Sequence, residues 1–154
     1  LAFAVGNEWV NGAVLPARGG PNNVTILASG TTVTFGAAGS ARTMRGDLNI
    51  NSGTSLTLGT VAGGDLNIGG NWTRAATGTF TNNARLVNFN GTLSTQTITV
   101  TGGGTETFGY LAINKPVGFP NLVMAGSSQC NQYYFKRESC KHSRFQYIGY
   151  VRQQ

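Results

Sequence analysis

Two aspartates occupy the same position in two identical pentapeptides and are the sharpest candidates for chemistry in this sequence. Gly46-Asp47-Leu48-Asn49-Ile50 recurs as Gly64-Asp65-Leu66-Asn67-Ile68, eighteen residues later. If the two segments are stacked strands, their carboxylates lie about 4.8 Å apart, which is the distance between neighbouring strands. Such a pair could bind Ca²⁺ together with nearby carbonyl oxygens. It could also supply the acid and the nucleophile of a retaining glycosidase, whose carboxyl groups are about 5 Å apart.

A structural role competes with both of these uses of Asp47 and Asp65. An Asp that follows Gly opens a strand and hydrogen-bonds its own turn, and Arg45 lies close enough in sequence to neutralise the pair. A carbohydrate enzyme also needs more polar groups around its site than surround these two aspartates. We therefore predict turn chemistry first and a Ca²⁺ site as the alternative, with no catalytic residue in this chain.

Three aromatic residues are the candidates for ligand contacts. Trp9, Trp72 and Tyr110 could stack on sugar rings, and Trp72 follows a predicted strand in a loop, which favours an exposed contact. Large aromatic residues more often fill the edge or the corner of a core. The sequence therefore predicts at most a glycan-binding surface at these positions.

The two cysteines and the single histidine lie close together near the end of the chain. The spacing of Cys130, Cys140 and His142 is not a zinc pattern, and a fourth ligand is missing. A disulfide between Cys130 and Cys140 is the alternative in an oxidising compartment.

Short alternating strands must position all of these residues. Apolar-x-apolar segments recur about every twenty residues, and second strands lie between them at 32–35, 55–58 and 97–100. Glycine-rich turns separate the strands. This pattern predicts an all-β parallel β-solenoid, because a near-identical repeat places equivalent positions on top of each other. An antiparallel β-sandwich is the alternative.

Pairs of threonines on these strands raise one further possibility. Thr32 and Thr34, and the run Thr97, Thr99 and Thr101, would form outward rows like those of ice-binding β-solenoids. A true ice-binding face should repeat the pair on every coil, and Asn49 interrupts the pattern, as do the asparagines at 67 and 88. Thr is also simply a good strand residue for a solvent-facing position.

Composition and charge exclude several classes of function. Only 10% of the residues are charged and 23 are Gly, which disfavours helix. Residues 1–120 hold six basic and four acidic residues, a net of +2, whereas residues 121–154 carry a net of +4. A body with so little charge gives no case for nucleic acid. No apolar run reaches the length of a membrane-spanning helix.

The character of the sequence changes near residue 120. We predict a β-solenoid domain at 1–120 and an atypical basic tail at 121–154, which holds four of the five tyrosines. The tail is either a cap over the open end of the stack, a disordered segment, or the product of a frame shift. An uncapped stack would favour end-to-end self-association. The opening Leu1-Ala2-Phe3-Ala4 reads either as the end of a signal peptide or as a fragment boundary.

Several segments within residues 9–117 form a recurrent order of strand cores and turns, namely Trp9-Val10-Asn11-Gly12, Val87-Asn88-Phe89-Asn90-Gly91 and the segment 108–115. In this order the chain resembles the β-helical modules of large secreted bacterial surface proteins. The resemblance implies a parallel β-helix, export to the cell surface, and a role in adhesion to glycan or extracellular matrix. We therefore expect a non-enzymatic structural or adhesive module. A carbohydrate-active β-helix enzyme, lyase or hydrolase, is the first alternative, and an ice-binding protein is the second.

Overall fold

A computed structural model of the chain describes residues 2–4, 20–37, 39–92, 95–115, 122–125 and 127–135, of which 2–4 and 127–135 are described by their backbone. Every regular element in these residues is a strand, and they contain no helix. The strands, in chain order, are β1 (Ala2–Ala4), β2 (Val24–Ile26), β3 (Thr32–Thr34), β4 (Arg42–Met44), β5 (Leu48–Ile50), β6 (Ser55–Thr57), β7 (Leu66–Ile68), β8 (Trp72–Arg74), β9 (Thr79–Thr81), β10 (Leu86–Phe89), β11 (Gln96–Val100), β12 (Thr105–Ile113), β13 (Leu122–Ala125) and β14 (Ser127–Phe135).

The strands form three sheets, and all the strand pairs in them are parallel. Sheet A has the order β1-β3-β6-β9, sheet B the order β14-β12-β10-β7-β4, and sheet C the order β13-β11-β8-β5-β2. From β2 to β10 the chain passes through sheets C, A and B in turn and then returns to sheet C, so that each of these coils contributes one strand to each sheet. From β11 to β14 the described strands alternate between sheets C and B. The described residues therefore form a β-solenoid of about four turns. The predicted solenoid is confirmed, and the antiparallel sandwich is wrong.

Most coils are longer than the spacing of about twenty residues that the sequence pattern predicted, although the coil from Leu66 to Val87 has 21 residues. Val24 pairs with Leu48 and Leu48 pairs with Trp72, so one coil of sheet C spans 24 residues. The expected period of about twenty residues is wrong because each full coil contains three strands, whereas the pattern indicated two. The strands missing from that pattern, β4, β8 and β9, each have only three residues and include polar ones.

Alternation along each strand builds the core between the three sheets. In β5, β7 and β10 the alternate apolar residues are buried, while the asparagines between them are only partly covered. Burying such a side chain contributes about 1.5–3 kcal/mol. The core cluster includes Leu48, Leu56, Leu66, Ile68, Val87, Phe89 and Leu111.

The corners between the sheets differ in length, but the strand register does not depend on them. The corner from sheet C to sheet A stacks Gly30 on Gly53, both with positive φ, and the N–H of Gly30 donates to the carbonyl oxygen of Gly53 over 2.8 Å. The corner from sheet A to sheet B spans residues 35–41, then 58–65, then 82–85, and is absent from β12, which runs straight on. There Gly109 lies directly over Ala84, where a Cβ on Gly109 would come within 2.8 Å of the Ala84 Cα.

The sheets continue past residue 120, where the sequence predicted a change of domain. β13 pairs with β11 in sheet C, and β14 pairs with β12 in sheet B, both in parallel. Residues 136–154 lie outside the described residues. For that part of the chain the cap, the disordered segment and the frame shift stay predictions.

Candidate functional site

The two aspartates do not stack on each other. The strand that follows Asp47, β5, belongs to sheet C and pairs with β2 and β8, whereas the strand that follows Asp65, β7, belongs to sheet B and pairs with β4 and β10. The identical pentapeptides therefore open two different strands of the same coil. The predicted carboxylate pair is wrong, and the shared Ca²⁺ site and the acid–nucleophile pair lose their geometric basis.

Asp47 belongs to a ladder of side chains that links successive coils. The Asn23 Oδ1 accepts the N–H of Asp47 over 2.8 Å, and the Asp47 Oδ1 accepts the N–H of Asn71 over 2.7 Å. The Asn71 Oδ1 in turn accepts the N–H of Thr97 over 2.8 Å. Each side chain thus caps the backbone of the next coil at the start of sheet C. The predicted hydrogen bond of Asp47 to its own turn is replaced by a bond to the neighbouring coil.

Asp65 does the same at the start of sheet B. Its Oδ1 accepts the N–H of Leu86 over 2.9 Å, one residue before the pair formed by Leu66 and Val87. A carboxylate that accepts a backbone N–H forms one of the stronger kinds of protein hydrogen bond. The two aspartates therefore serve the stacking of coils at two separate corners.

Glycine makes the ladder on sheet C geometrically possible. A Cβ on Gly46 would come within 2.0 Å of the Asn23 Oδ1, and a Cβ on Gly70 within 2.2 Å of the Gly46 carbonyl carbon. Only a residue without a side chain allows the coils to approach this closely. The Gly-Asp and Gly-Asn pairs at the start of these strands are thus required by the close stacking of the coils.

Trp72 is fully buried, so the predicted exposed contact is wrong. It lies in β8, pairs in register with Leu48, and has no exposed surface. Its ring makes edge contacts with Phe80 and Phe108, with centroids 4.7 and 5.3 Å away. Trp72 is therefore a core residue and not a platform for sugar.

A buried acidic residue, Glu106, accepts the indole N–H of Trp72. The Trp72 Nε1 donates to the Glu106 Oε2 over 2.7 Å, and the Arg74 Nε forms a salt bridge with the same oxygen at 2.9 Å. Arg74 also donates to the carbonyl oxygens of Gly78 and Thr105. Glu106 was not among the site residues predicted from the sequence. The alternation Thr105-Glu106-Thr107-Phe108 could have predicted that Glu106 is buried, because it places Glu106 on the same face as Phe108.

A second polar cluster surrounds Gln96, which is fully buried. The Gln96 Nε2 donates to the carbonyl oxygens of Ile68 and Gly70, and its Oε1 accepts the N–H of Gly91. The Lys115 Nζ donates to the Gln96 Oε1 over 3.0 Å. Desolvation by burial lowers the pKa of Lys115 from its ordinary value of 10.5. These bonds link neighbouring coils at the corner from sheet B to sheet C.

Tyr110 is the one aromatic candidate that the structure places on an outward row. It pairs in register with Leu86, whose neighbour Val87 points into the core, and both Leu86 and Tyr110 are half-buried. Trp9 and Cys140 lie outside the described residues. Cys130 lies in β14, of which only the backbone is described. The glycan contact at Tyr110 and the disulfide stay predictions.

The outward rows of the three sheets differ in composition. On sheet C, Thr25, Asn49, Thr73 and Thr99 follow one another in register. On sheet B, Thr43, Asn67 and Asn88 do so, and the Nδ2 of each asparagine donates to the side chain of the preceding coil. On sheet A, the outward residues of β3, β6 and β9 are Thr or Ser. The three asparagines that interrupt the threonine pattern in the sequence therefore all lie outside sheet A.

Two further findings concern metals and membranes. Among the residues that the structure describes, no three His, Cys, Asp or Glu side chains come together in a way that could hold a metal ion. Nor does this part of the chain contain a helix long and apolar enough to cross a membrane.

The fold and these ladders define a parallel β-solenoid whose coils are joined by side-chain hydrogen bonds at the strand starts. Comparison with known proteins adds no family: no family model, no curated protein and no solved structure matches this chain.

Proposed function

We propose that this chain is a non-enzymatic module of a secreted or cell-surface protein, and that its rigid solenoid presents a contact surface to glycan or extracellular matrix. One observation carries the proposal. The carboxylates of Asp47, Asp65 and Glu106, which are the groups best suited to catalysis, are all engaged in bonds that hold coils together. A group that is fixed in this way is poorly placed to exchange protons with a substrate.

The contact surface that we propose is the outward row of sheet B around Tyr110. Leu86 and Tyr110 stand side by side in register, and Asn88 lies on the same face, two residues from Leu86. An aromatic ring beside an aliphatic side chain offers a flat apolar surface, and an amide adds directional hydrogen bonds. Together these are the kinds of group that a small-molecule or glycan site combines.

Binding of the purified chain to a glycan array and to immobilised matrix proteins tests the proposal. Tyr110→Ala should weaken binding about two- to tenfold, because an aromatic contact contributes about 0.5–1.5 kcal/mol. Tyr110→Phe should retain most of the affinity, and Thr73→Ala on sheet C should leave it unchanged. Equal binding by Tyr110→Ala and the parent chain would contradict this choice of surface.

The same preparation separates the module from the alternative enzyme. Incubation with a panel of polysaccharides should release no reducing ends and no unsaturated products. Turnover that disappears in the double variant Asp47→Asn, Asp65→Asn while the fold stays intact would overturn the non-enzymatic proposal.

A further inference from the structure

Sheet A carries a regular array of hydroxyl-bearing side chains, which we call the threonine face. It consists of the outward residues of β3, β6 and β9, namely Thr32, Thr34, Ser55, Thr57, Thr79 and Thr81. Register pairing aligns them in two rows, one running through Thr32, Ser55 and Thr79 and the other through Thr34, Thr57 and Thr81. The residues between them, Val33, Leu56 and Phe80, belong to the core or pack against it.

The spacing of the threonine face is fixed by the backbone in both directions. Neighbouring strands repeat about every 4.8 Å, and alternate residues on one strand repeat about every 6.6 Å. Across the coils, the Ser55 Oγ and the Thr79 Oγ1 form a hydrogen bond of 2.5 Å. The face is therefore a two-dimensional lattice of hydroxyl and methyl groups with two unequal repeats.

The motif continues into the next coil. Thr105 and Thr107 at the start of β12 are both exposed and flank the inward-pointing Glu106. The Asn82 Nδ2 donates to the carbonyl oxygen of Thr107 over 3.1 Å and so ties this part of β12 to the preceding coil. Three consecutive coils, those of β3, β6 and β9, thus carry a Thr or Ser, one inward residue and a Thr in register on sheet A, and β12 repeats the Thr-x-Thr sequence in sheet B.

The composition of the threonine face selects among possible partners. None of its six members is charged or aromatic, whereas protein interfaces are enriched in aromatic residues and Arg, and glycan sites combine apolar surface with a few convergent polar groups. Methyl groups order the water around them, and hydroxyls both donate to and accept from water. A neutral lattice of both is suited to a partner that is itself a regular array of water molecules.

We propose that the threonine face binds ice. The oxygen atoms of hexagonal ice also lie in rows with two unequal repeats of this order, so rows of ordered water on the face can merge with the crystal. The asparagines that interrupt the threonine pattern do not interrupt sheet A, because Asn49 lies on sheet C and Asn67 and Asn88 lie on sheet B. Three successive strands of sheet A, β3, β6 and β9, carry the pair, whereas β1 places Ala2 and Ala4 in register with Thr32 and Thr34. This function is independent of the glycan contact at Tyr110.

Thermal hysteresis and partitioning of the full chain into growing ice test the proposal, with a central variant and a matched control. Thr57→Lys places a long charged side chain in the middle of the face, whereas Thr73→Lys makes the same change at an equally half-buried outward position on sheet C. The parent chain and Thr73→Lys should show a hysteresis gap and enter the ice, and Thr57→Lys should lose both.

Two results would overturn the proposal: no hysteresis and no ice partitioning by the parent chain, or equal activity in Thr57→Lys. Circular dichroism establishes that each variant is folded. If Thr57→Lys is unfolded, Thr81→Lys replaces it, since Thr81 is exposed at the edge of the paired strands and tolerates a larger side chain. If Thr81→Lys is folded and keeps its thermal hysteresis and ice partitioning, that result overturns the proposal in the same way.

Discussion

Replacing Asp47 by Ala and by Asn separates a structural carboxylate from a functional one. The Asp47 Oδ1 accepts the N–H of Asn71 over 2.7 Å at a partly buried corner. Asp47→Ala leaves that N–H without its acceptor, which costs about 1–3 kcal/mol for a buried donor. Because water reaches part of this corner, we expect a loss of about 1–2 kcal/mol.

Asp47→Asn should cost much less, and the ladder itself supplies the reason. Asn23 and Asn71 perform the same task one coil before and one coil after Asp47, each with its amide Oδ1 accepting a backbone N–H over 2.8 Å. An amide oxygen therefore fits this site, and we expect a loss of less than about 1 kcal/mol. Asp65, whose Oδ1 accepts the N–H of Leu86, provides an independent repeat of the comparison on sheet B.

The assay is urea unfolding, in which a lower midpoint at an unchanged slope reports a loss of stability. The order of stability should be parent, then Asp47→Asn, then Asp47→Ala. Equal losses in the two variants would refute the ladder as the role of this side chain.

Added Ca²⁺ provides a second arm: a ligand at a hundred times its Kd raises stability by about 2.7 kcal/mol. A rise in the parent chain that is absent from Asp47→Asn would show that the carboxylate binds the ion.

Three further predictions concern the buried polar groups and the close approach of coils. Glu106→Ala should destabilise the chain by about 3–5 kcal/mol in urea unfolding, because it leaves the nearly buried Arg74 without its carboxylate, and Glu106→Gln should lose less. Gly70→Ala should unfold at a lower urea concentration than Gly103→Ala. A Cβ on Gly70 would meet the backbone of the neighbouring coil, whereas Gly103 has open space around it and its substitution costs only the strain of a positive φ, about 1 kcal/mol. The opposite order would contradict the tight stacking of the coils. Burial lowers the pKa of Lys115, so between that pKa and 10.5 the unfolded chain binds more protons and stability rises with pH. Lys115→Met should lack this rise, so the unfolding free energy of the parent minus that of the variant should increase with pH in this range, and a flat difference would refute the prediction.

The sequence was sufficient to predict parallel stacking but not the length of a coil. The strong alternation in segments such as 48–50, 66–68 and 86–89 identified strands that the structure confirms. The short strands Arg42–Met44 and Thr79–Thr81 carry a charged residue or few apolar ones, so periodicity alone did not reveal them. Their omission reduced three strands per coil to two.

The repeated pentapeptide misled the site prediction for a physical reason. Both copies open a strand at a corner where the coils are in close contact, and both need an acceptor for a backbone N–H of the next coil. Two corners of one coil with the same requirement acquire the same residues, and a search for repeats cannot separate this case from equivalent positions in neighbouring coils. The exposed position predicted for Trp72 was wrong for a different reason: the short strand that contains it, β8, was not predicted.

The composition of the threonine face calls for an explanation that stacking does not provide. Sheet C stacks through outward rows that mix Thr with Asn, and sheet B changes from Thr43 to Asn67. Coil stacking therefore tolerates variation at outward positions, while the ladders that begin at Asn23 and Asp65 provide side-chain bonds between coils at the strand starts. The run of Thr and Ser through β3, β6 and β9 is not needed for the fold, since the other two sheets and the β1 end of sheet A form without it. The fold does not need a row of this kind. A surface that matches a regular partner does require one.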